Sequence, residues 1–219
     1  MVVLAHRGFH VVEPENTLAA FDAAVNLGVD GIETDVRQTR DGELVLIHDR
    51  VIKGGGLVSQ LTKSELEQQL NHPVPTLVEA LNSWSGILWN VEIKTLDALA
   101  NSIKTLRQFE HTRRIFVSSF RHDVVIECAT HLDVDCGLLM ASRPVTSSGL
   151  IAEYLNHKKI RSVVWDFNIL DRNQVTELRQ KGWRNFVYGP VTLEEHSFCI
   201  DVGLDGIVTD HPNYLLERK

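Results

Sequence analysis

The chain has 219 residues, 43% of them hydrophobic and 23% charged, and carries a formal net charge of -7. That composition supports an ordinary globular core. The acidic balance and the absence of any Lys/Arg block argue against a nucleic-acid partner.

No apolar run approaches the roughly 18–20 residues that span a bilayer. The opening MVVLAHRG offers neither a basic leader nor enough apolar length for a secretory signal. Cys128, Cys136 and Cys199 are dispersed with no CxxC pair, the pattern of buried thiols in a reducing compartment. The expected location is the cytoplasm.

In chain order, VVLAH (2–6) reads as a strand ending on His6, with Arg7 just past it. ENTLAAFDAAVNLG follows as a helix: Asn16 or Thr17 caps it, Leu18, Phe21 and Val25 share a face, and Gly28 ends it. GIETDV (31–36) is a second strand, in which Ile32, Thr34 and Val36 take one parity and leave Glu33 and Asp35 on the other. Asp41-Gly42 allows only a tight turn, so ELVLIH (43–48) returns antiparallel to that strand. With Asp41-Gly42 at the centre of a type I′ turn, Asp35 lies opposite His48. A type I turn with a bulge at Gly42 shifts that register by one.

Residues 49–87 read as an insertion, with Gly54–Gly56 as a flexible loop. In LWNVEIK (88–94), Val91 and Ile93 point one way and Asn90, Glu92 and Lys94 the other. Further strands are RIFVSSF (114–120), CGLLMA (136–141), SVVWDF (162–167), RNFVYG (184–189) and GIVTD (206–210). Helical patterns lie near 97–109, 122–132, 149–158, 172–181 and 193–202. Alternating strands and helices imply parallel strands with right-handed crossovers. Without the hairpin return there are eight, so the expected class is α/β: a single (β/α)8 TIM barrel domain over 1–219, with a short hairpin and the 49–87 insertion after the second strand. An open doubly wound sheet is the alternative, but no GxGxxG or P-loop accompanies it.

Barrel sites lie at the C-terminal strand ends. Glu33, Asp35 and Glu92 would meet there, and unit charges about 6–7 Å apart repel by roughly 2–3 kcal/mol at an effective dielectric near 20. Arg7 and Lys94 can neutralise them as a structural ion-pair network. Carboxylates converging from adjacent strands equally suit a hard cation, Mg²⁺ or Ca²⁺. His6 and His48, each at a strand end beside carboxylates, suit a general acid and a general base. His72, His111, His131, His157 and His196 are read as structural or exposed. With Arg7 and Lys94 available for an anion, the set points to phosphoryl chemistry.

These residues resemble the glycerophosphodiester phosphodiesterase family. The pieces are HRG (6–8), PENT (14–17), AF (20–21), GIETDV (31–36), TRDGELVLIHD (39–49), PTLVEAL (75–81), NVEIK (90–94), SSF (118–120) and DGIVTDHP (205–212). The resemblance implies a TIM barrel that hydrolyses small-molecule glycerophosphodiesters to an alcohol and glycerol 3-phosphate. Position by position, it implies that Glu33, Asp35 and Glu92 hold one divalent metal, His6 and His48 form the acid–base pair, and Arg7 and Lys94 bind phosphate. Asp49 would orient the end of the hairpin, and PENT would start a helix and support the barrel mouth.

The chain departs from the family where a Trp-Thr-Val-Asn run is usual and VYGPVT (187–192) stands instead, with Tyr188 for the aromatic ring and Val191 at the Asn position. Phe120 and Tyr188 are pocket walls or packing residues. Two other functions use similar parts: a metal-dependent sugar-phosphate isomerase or aldolase barrel, and a non-catalytic barrel that binds phosphorylated headgroups.

Overall fold

The structure, a computed structural model, describes residues 1–144, 154 and 157–216. Its strands are β1 (Val2–His6), β2 (Gly31–Gln38), β3 (Leu44–Leu46), β4 (Leu88–Ile93), β5 (Arg114–Ser119), β6 (Asp135–Met140), β7 (Ile160–Asp166), β8 (Arg184–Tyr188) and β9 (Gly206–Thr209). Eight of them are parallel neighbours in a closed ring, with β1 paired to β2 on one side and to β9 on the other. β4 lies beside β2, and β3 hangs antiparallel from the outer end of β2. This is the expected (β/α)8 barrel with a hairpin after its second strand.

The helices are α1 (Leu18–Leu27), α2 (Lys63–Leu70), α3 (Leu77–Ser83), α4 (Leu96–Phe109), α5 (His122–His131), α6 (Arg172–Gln180), α7 (Leu193–Val202) and α8 (Asn213–Leu216). The helix expected over 149–158 falls mostly outside the described residues. Among the described residues, no helix is long and apolar enough to cross a membrane.

Strand parity divides the interior in two. Outward residues such as Val3, Ile32, Val91, Val117, Leu138, Val163 and Ile207 pack under the helices in the main core. Inward residues Leu4, Phe116, Leu139, Val164, Phe186 and Val208 fill the lower lumen. Phe116 and Phe186 stack there with centroids 5.3 Å apart. The rings fit because two facing positions lack side chains: a Cβ on Gly137 would lie 2.3 Å from Phe116, and one on Gly206 2.2 Å from Phe186. This apolar layer plugs the lumen, and the polar groups that line the cavity above it stand on the same strands.

The hairpin corrects the type I′ expectation. Val36 pairs with Leu46 and Gln38 with Leu44, and Ile47 N–H donates to Asp35 O at 3.0 Å, so Ile47 and not His48 faces Asp35. Gly42 alone adopts the left-handed region, at φ +87°, as a type I turn with a bulge requires. Asp41 stays outside the left-handed region, and its carboxylate accepts from Thr39 Oγ1 at 2.6 Å and from Lys63 N–H at 3.1 Å. His48 thus lies beyond β3, where its carbonyl accepts from Arg37 Nε at 2.8 Å.

From the 49–87 segment Ile52, Val58, Leu66 and Val74 join Val45 of β3 in a small second core under α2. α3 instead sends Leu77, Ala80 and Leu81 into the main core. Both helices begin with a capping box, Thr62 with Glu65 and Thr76 with Glu79.

Candidate active site

Two residues above the apolar plug, the same strands turn polar. Leu4 is followed inward by His6, Phe116 by Ser118, Phe186 by Tyr188, and Leu88 by Asn90 and then Glu92. Parallel pairing sets Glu33 beside Asn90 and Asp35 beside Glu92. The three carboxylates converge as parity predicts, each offering an oxygen within 4.8 Å of the others.

The cations that answer them come from strand ends. Lys94 Nζ lies 2.7 Å from Glu92 Oε1 and 3.1 Å from Asp35 Oδ1. Arg7 Nε lies 3.0 Å from Asp35 Oδ2, while its Nη1 donates to Glu15 Oε2 at 2.9 Å. Arg7 reaches this position because it is left-handed (φ +54°) and its N–H donates to Glu33 O at 2.8 Å.

Burial opposes the charge on Asp35, but Lys94 and Arg7 outweigh it and hold that carboxyl below its ordinary value. Glu33 is driven well above the ordinary range by burial and then by the charges of Asp35 and Glu92. Burial also raises Glu92, by more than Lys94 lowers it. The two cations therefore leave the cluster short of positive charge, and one of them is shared with Glu15. Glu33 Oε1 is buried with no partner among the described residues, a costly state for a carboxylate oxygen. An all-oxygen, net negative donor set with an unsatisfied buried oxygen fits a hard divalent cation.

Each expected acid–base histidine is backed by a carboxylate. His6 Nδ1 donates to Asp210 Oδ1 at 2.6 Å, and His10 Nε2 donates to the same oxygen at 2.9 Å. Burial works against the charge on Asp210, but the hydrogen bonds from His6 and His10 prevail and hold its carboxyl well below the usual range, so the imidazole nitrogens must be the donors. The other ring nitrogen of His6 lies 3.8 Å from Glu33 Oε2. His48 Nδ1 donates to Asp49 Oδ1 at 2.8 Å.

His6, Arg7, Glu33, His48, Glu92, Lys94, Phe120 and Tyr188 line one cavity of about 200 Å³, floored by Leu139 and Val208 with Asn90 and Ser118 on its wall. Asp35, 1% exposed, lies behind it. Phe120 and Tyr188 meet edge to face at 5.8 Å. Tyr188 Oη donates to Asp166 Oδ2 at 3.2 Å, and burial followed by the Asp166 charge pushes the phenol pKa up, so the ring stays neutral. Val191 is 60% exposed and not part of the cavity wall. His196 is fully buried, with Nε2 against Thr209 Oγ1 and Nδ1 against Thr192 O, in keeping with a structural histidine.

Sequence reading missed Asp210 and His10, and it missed how PENT supports the mouth. The signal for Asp210 was present: GIVTD ends the eighth barrel strand, and closure brings that end beside His6.

A family model described as the glycerophosphoryl diester phosphodiesterase family matches residues 6–214. A glycerophosphodiester phosphodiesterase from Caldanaerobacter subterraneus subsp. tengcongensis is 33% identical, over 98% of this chain and 96% of its own length. A crystal structure of a glycerophosphodiester phosphodiesterase from Thermotoga maritima superposes with a TM-score of 0.88 at 25% identity, covering 100% of this chain and 98% of that one. A phosphodiesterase from Oleispira antarctica, solved with the product sn-glycerol-3-phosphate, shares the fold with a TM-score of 0.87 at 23% identity, covering 100% of this chain and 96% of that one. The chain belongs to the glycerophosphoryl diester phosphodiesterase family and is by that membership a phosphoric diester hydrolase.

Proposed function

We propose that this protein hydrolyses glycerophosphodiesters to glycerol 3-phosphate and an alcohol, with His6 and His48 as the acid–base pair. The observation that carries this reading is that both histidines line the cavity that holds Arg7, Lys94 and the carboxylate cluster, each with Nδ1 committed to a carboxylate. That commitment leaves the second ring nitrogen of each as the one that exchanges protons, with its tautomer set from behind.

Glu33, Asp35 and Glu92 would hold Mg²⁺ or Ca²⁺, which when bound supplies Lewis-acid neutralisation of the phosphodiester oxygens. Arg7 and Lys94 bind the same oxygens and stabilise the charge that grows on them as the bond to phosphorus forms. One imidazole removes the proton of the attacking hydroxyl, from water or from the glycerol 2-position by way of a cyclic phosphate. The other gives a proton to the departing alkoxide. Phe120 and Tyr188 wall the mouth where that alcohol leaves.

The test is release of glycerol 3-phosphate from glycerophosphocholine, glycerophosphoethanolamine and glycerophosphoglycerol, each with Mg²⁺, Ca²⁺ or excess chelator. Turnover of at least one diester is expected, abolished by chelator and restored by one of the two cations. Full activity in chelator would reduce the carboxylate cluster to a structural ion-pair network.

A further inference from the structure

Asn16 has no assigned role in the chemistry above, yet it is 2% exposed and lies against the buried Asp35 carboxylate. It sits at φ +56°, in the left-handed region, which Asn tolerates better than other residues with side chains. Its side chain is fully committed. Nδ2 donates to Asp35 Oδ2 at 3.0 Å, and Oδ1 accepts from Thr34 Oγ1 at 2.7 Å. Its backbone N–H donates to Arg7 O at 2.9 Å. One residue thus ties the strained Arg7 to the Asp35 carboxylate.

Asp35 defines which way the amide faces. Its carboxylate only accepts and its backbone N–H, 3.4 Å from Oδ1, only donates, so Nδ2 is the atom turned toward the carboxylate. The carboxylate, held on one oxygen by Asn16 and Arg7 and on the other by Lys94, has little freedom to rotate.

We infer that Asn16 is a positioning residue that locks the Asp35 carboxylate, and through Arg7 O the first residue of the phosphate grip, in the geometry that a divalent cation needs. This rests on the reading that Glu33, Asp35 and Glu92 hold that cation. Residues that fix a ligating carboxylate from behind typically contribute 10–100-fold to metal affinity.

The informative variant is Asn16→Gly, which keeps the left-handed backbone and the bond to Arg7 O but removes the amide. Calorimetric titration of the metal-free protein with Mg²⁺ and Ca²⁺ should show an affinity about 10–100-fold weaker than wild type, at a temperature where circular dichroism reports the same fold. Activity should fall at low cation and recover in excess cation, a rescue that a general packing defect would not show. Thr34→Val removes the 2.7 Å hydrogen bond that holds Oδ1 in place and should lower affinity by a smaller factor in the same direction.

Wild-type cation affinity in folded Asn16→Gly overturns the inference. Should that variant not fold, wild-type affinity in Thr34→Val does the same. Glu33→Gln separates the two levels. If it loses cation binding while Asn16→Gly keeps it, only the role of Asn16 falls; if it binds cation like wild type, the metal reading falls and the role of Asn16 with it.

Discussion

The floor and the mouth of this barrel are built from the same strands, two residues apart, and they obey opposite rules. The floor closes Leu4, Phe116, Leu139, Val164, Phe186 and Val208 into a dry plug shaped by two glycines. The mouth, one pleat higher, packs three carboxylates against two cations and leaves a buried oxygen of Glu33 unpartnered. The floor maximises stability, while the mouth holds charges in place at a cost to it. Because strand direction carries each inward residue from one layer to the next, the plug also fixes the height at which the charges stand.

Substitutions at the two levels should therefore separate activity from stability. At the mouth, His6→Ala or His48→Ala should lower kcat by about 10²–10⁴ with little change in unfolding midpoint, as measured by single-substrate kinetics and thermal melts. Near-normal turnover in either variant would remove that histidine from the chemistry. At the floor, Phe186→Ala should cost about 3–5 kcal/mol of stability by chemical denaturation, because it breaks the 5.3 Å stack with Phe116. A small loss there would mean the plug repacks and does not set the height of the mouth.

Adding volume at the floor should be milder. Gly137→Ala places a methyl 2.3 Å from the Phe116 ring and should cost about 1–3 kcal/mol, read from the same denaturation curves.

The smallest effect has the opposite sign. In chelator, Glu33→Gln should raise stability by about 0.5–2 kcal/mol at neutral pH, and with the cation restored the same variant should stay inactive. The folded pKa of Glu33 lies above its ordinary 4.5, so its favourable contribution is complete below that value and is lost as pH rises through the raised pKa. The gap between variant and wild type should accordingly widen above about pH 4.5, in melts taken across pH. A constant gap would mean the carboxyl is not strained.

How much of this was legible in the sequence follows the range of the interactions. The barrel strands and the inward set of Glu33, Asp35, Glu92 and Lys94 were readable because parity is a local property of each strand. The type I′ register was one residue off because it requires Asp41 as well as Gly42 in the left-handed region, and only Gly42 is there. α2 and α3 went unread inside the insertion although TKSE and TLVE, at Thr62 and Thr76, carry capping-box spacing. The backing of His6 by Asp210 joins residues 204 apart, and only closure of the ring brings them together.

That last contact has a bearing on how the enzyme comes into being. His48, Glu33, Asp35 and Glu92 all lie within the first hundred residues. His6 obtains its carboxylate only when β9 docks against β1. The carboxylate that accepts from His6 Nδ1 therefore belongs to the far end of the sequence. Closure of the ring thus ties the two ends of the sequence together at the cavity, the first strand bringing the imidazole and the last its carboxylate.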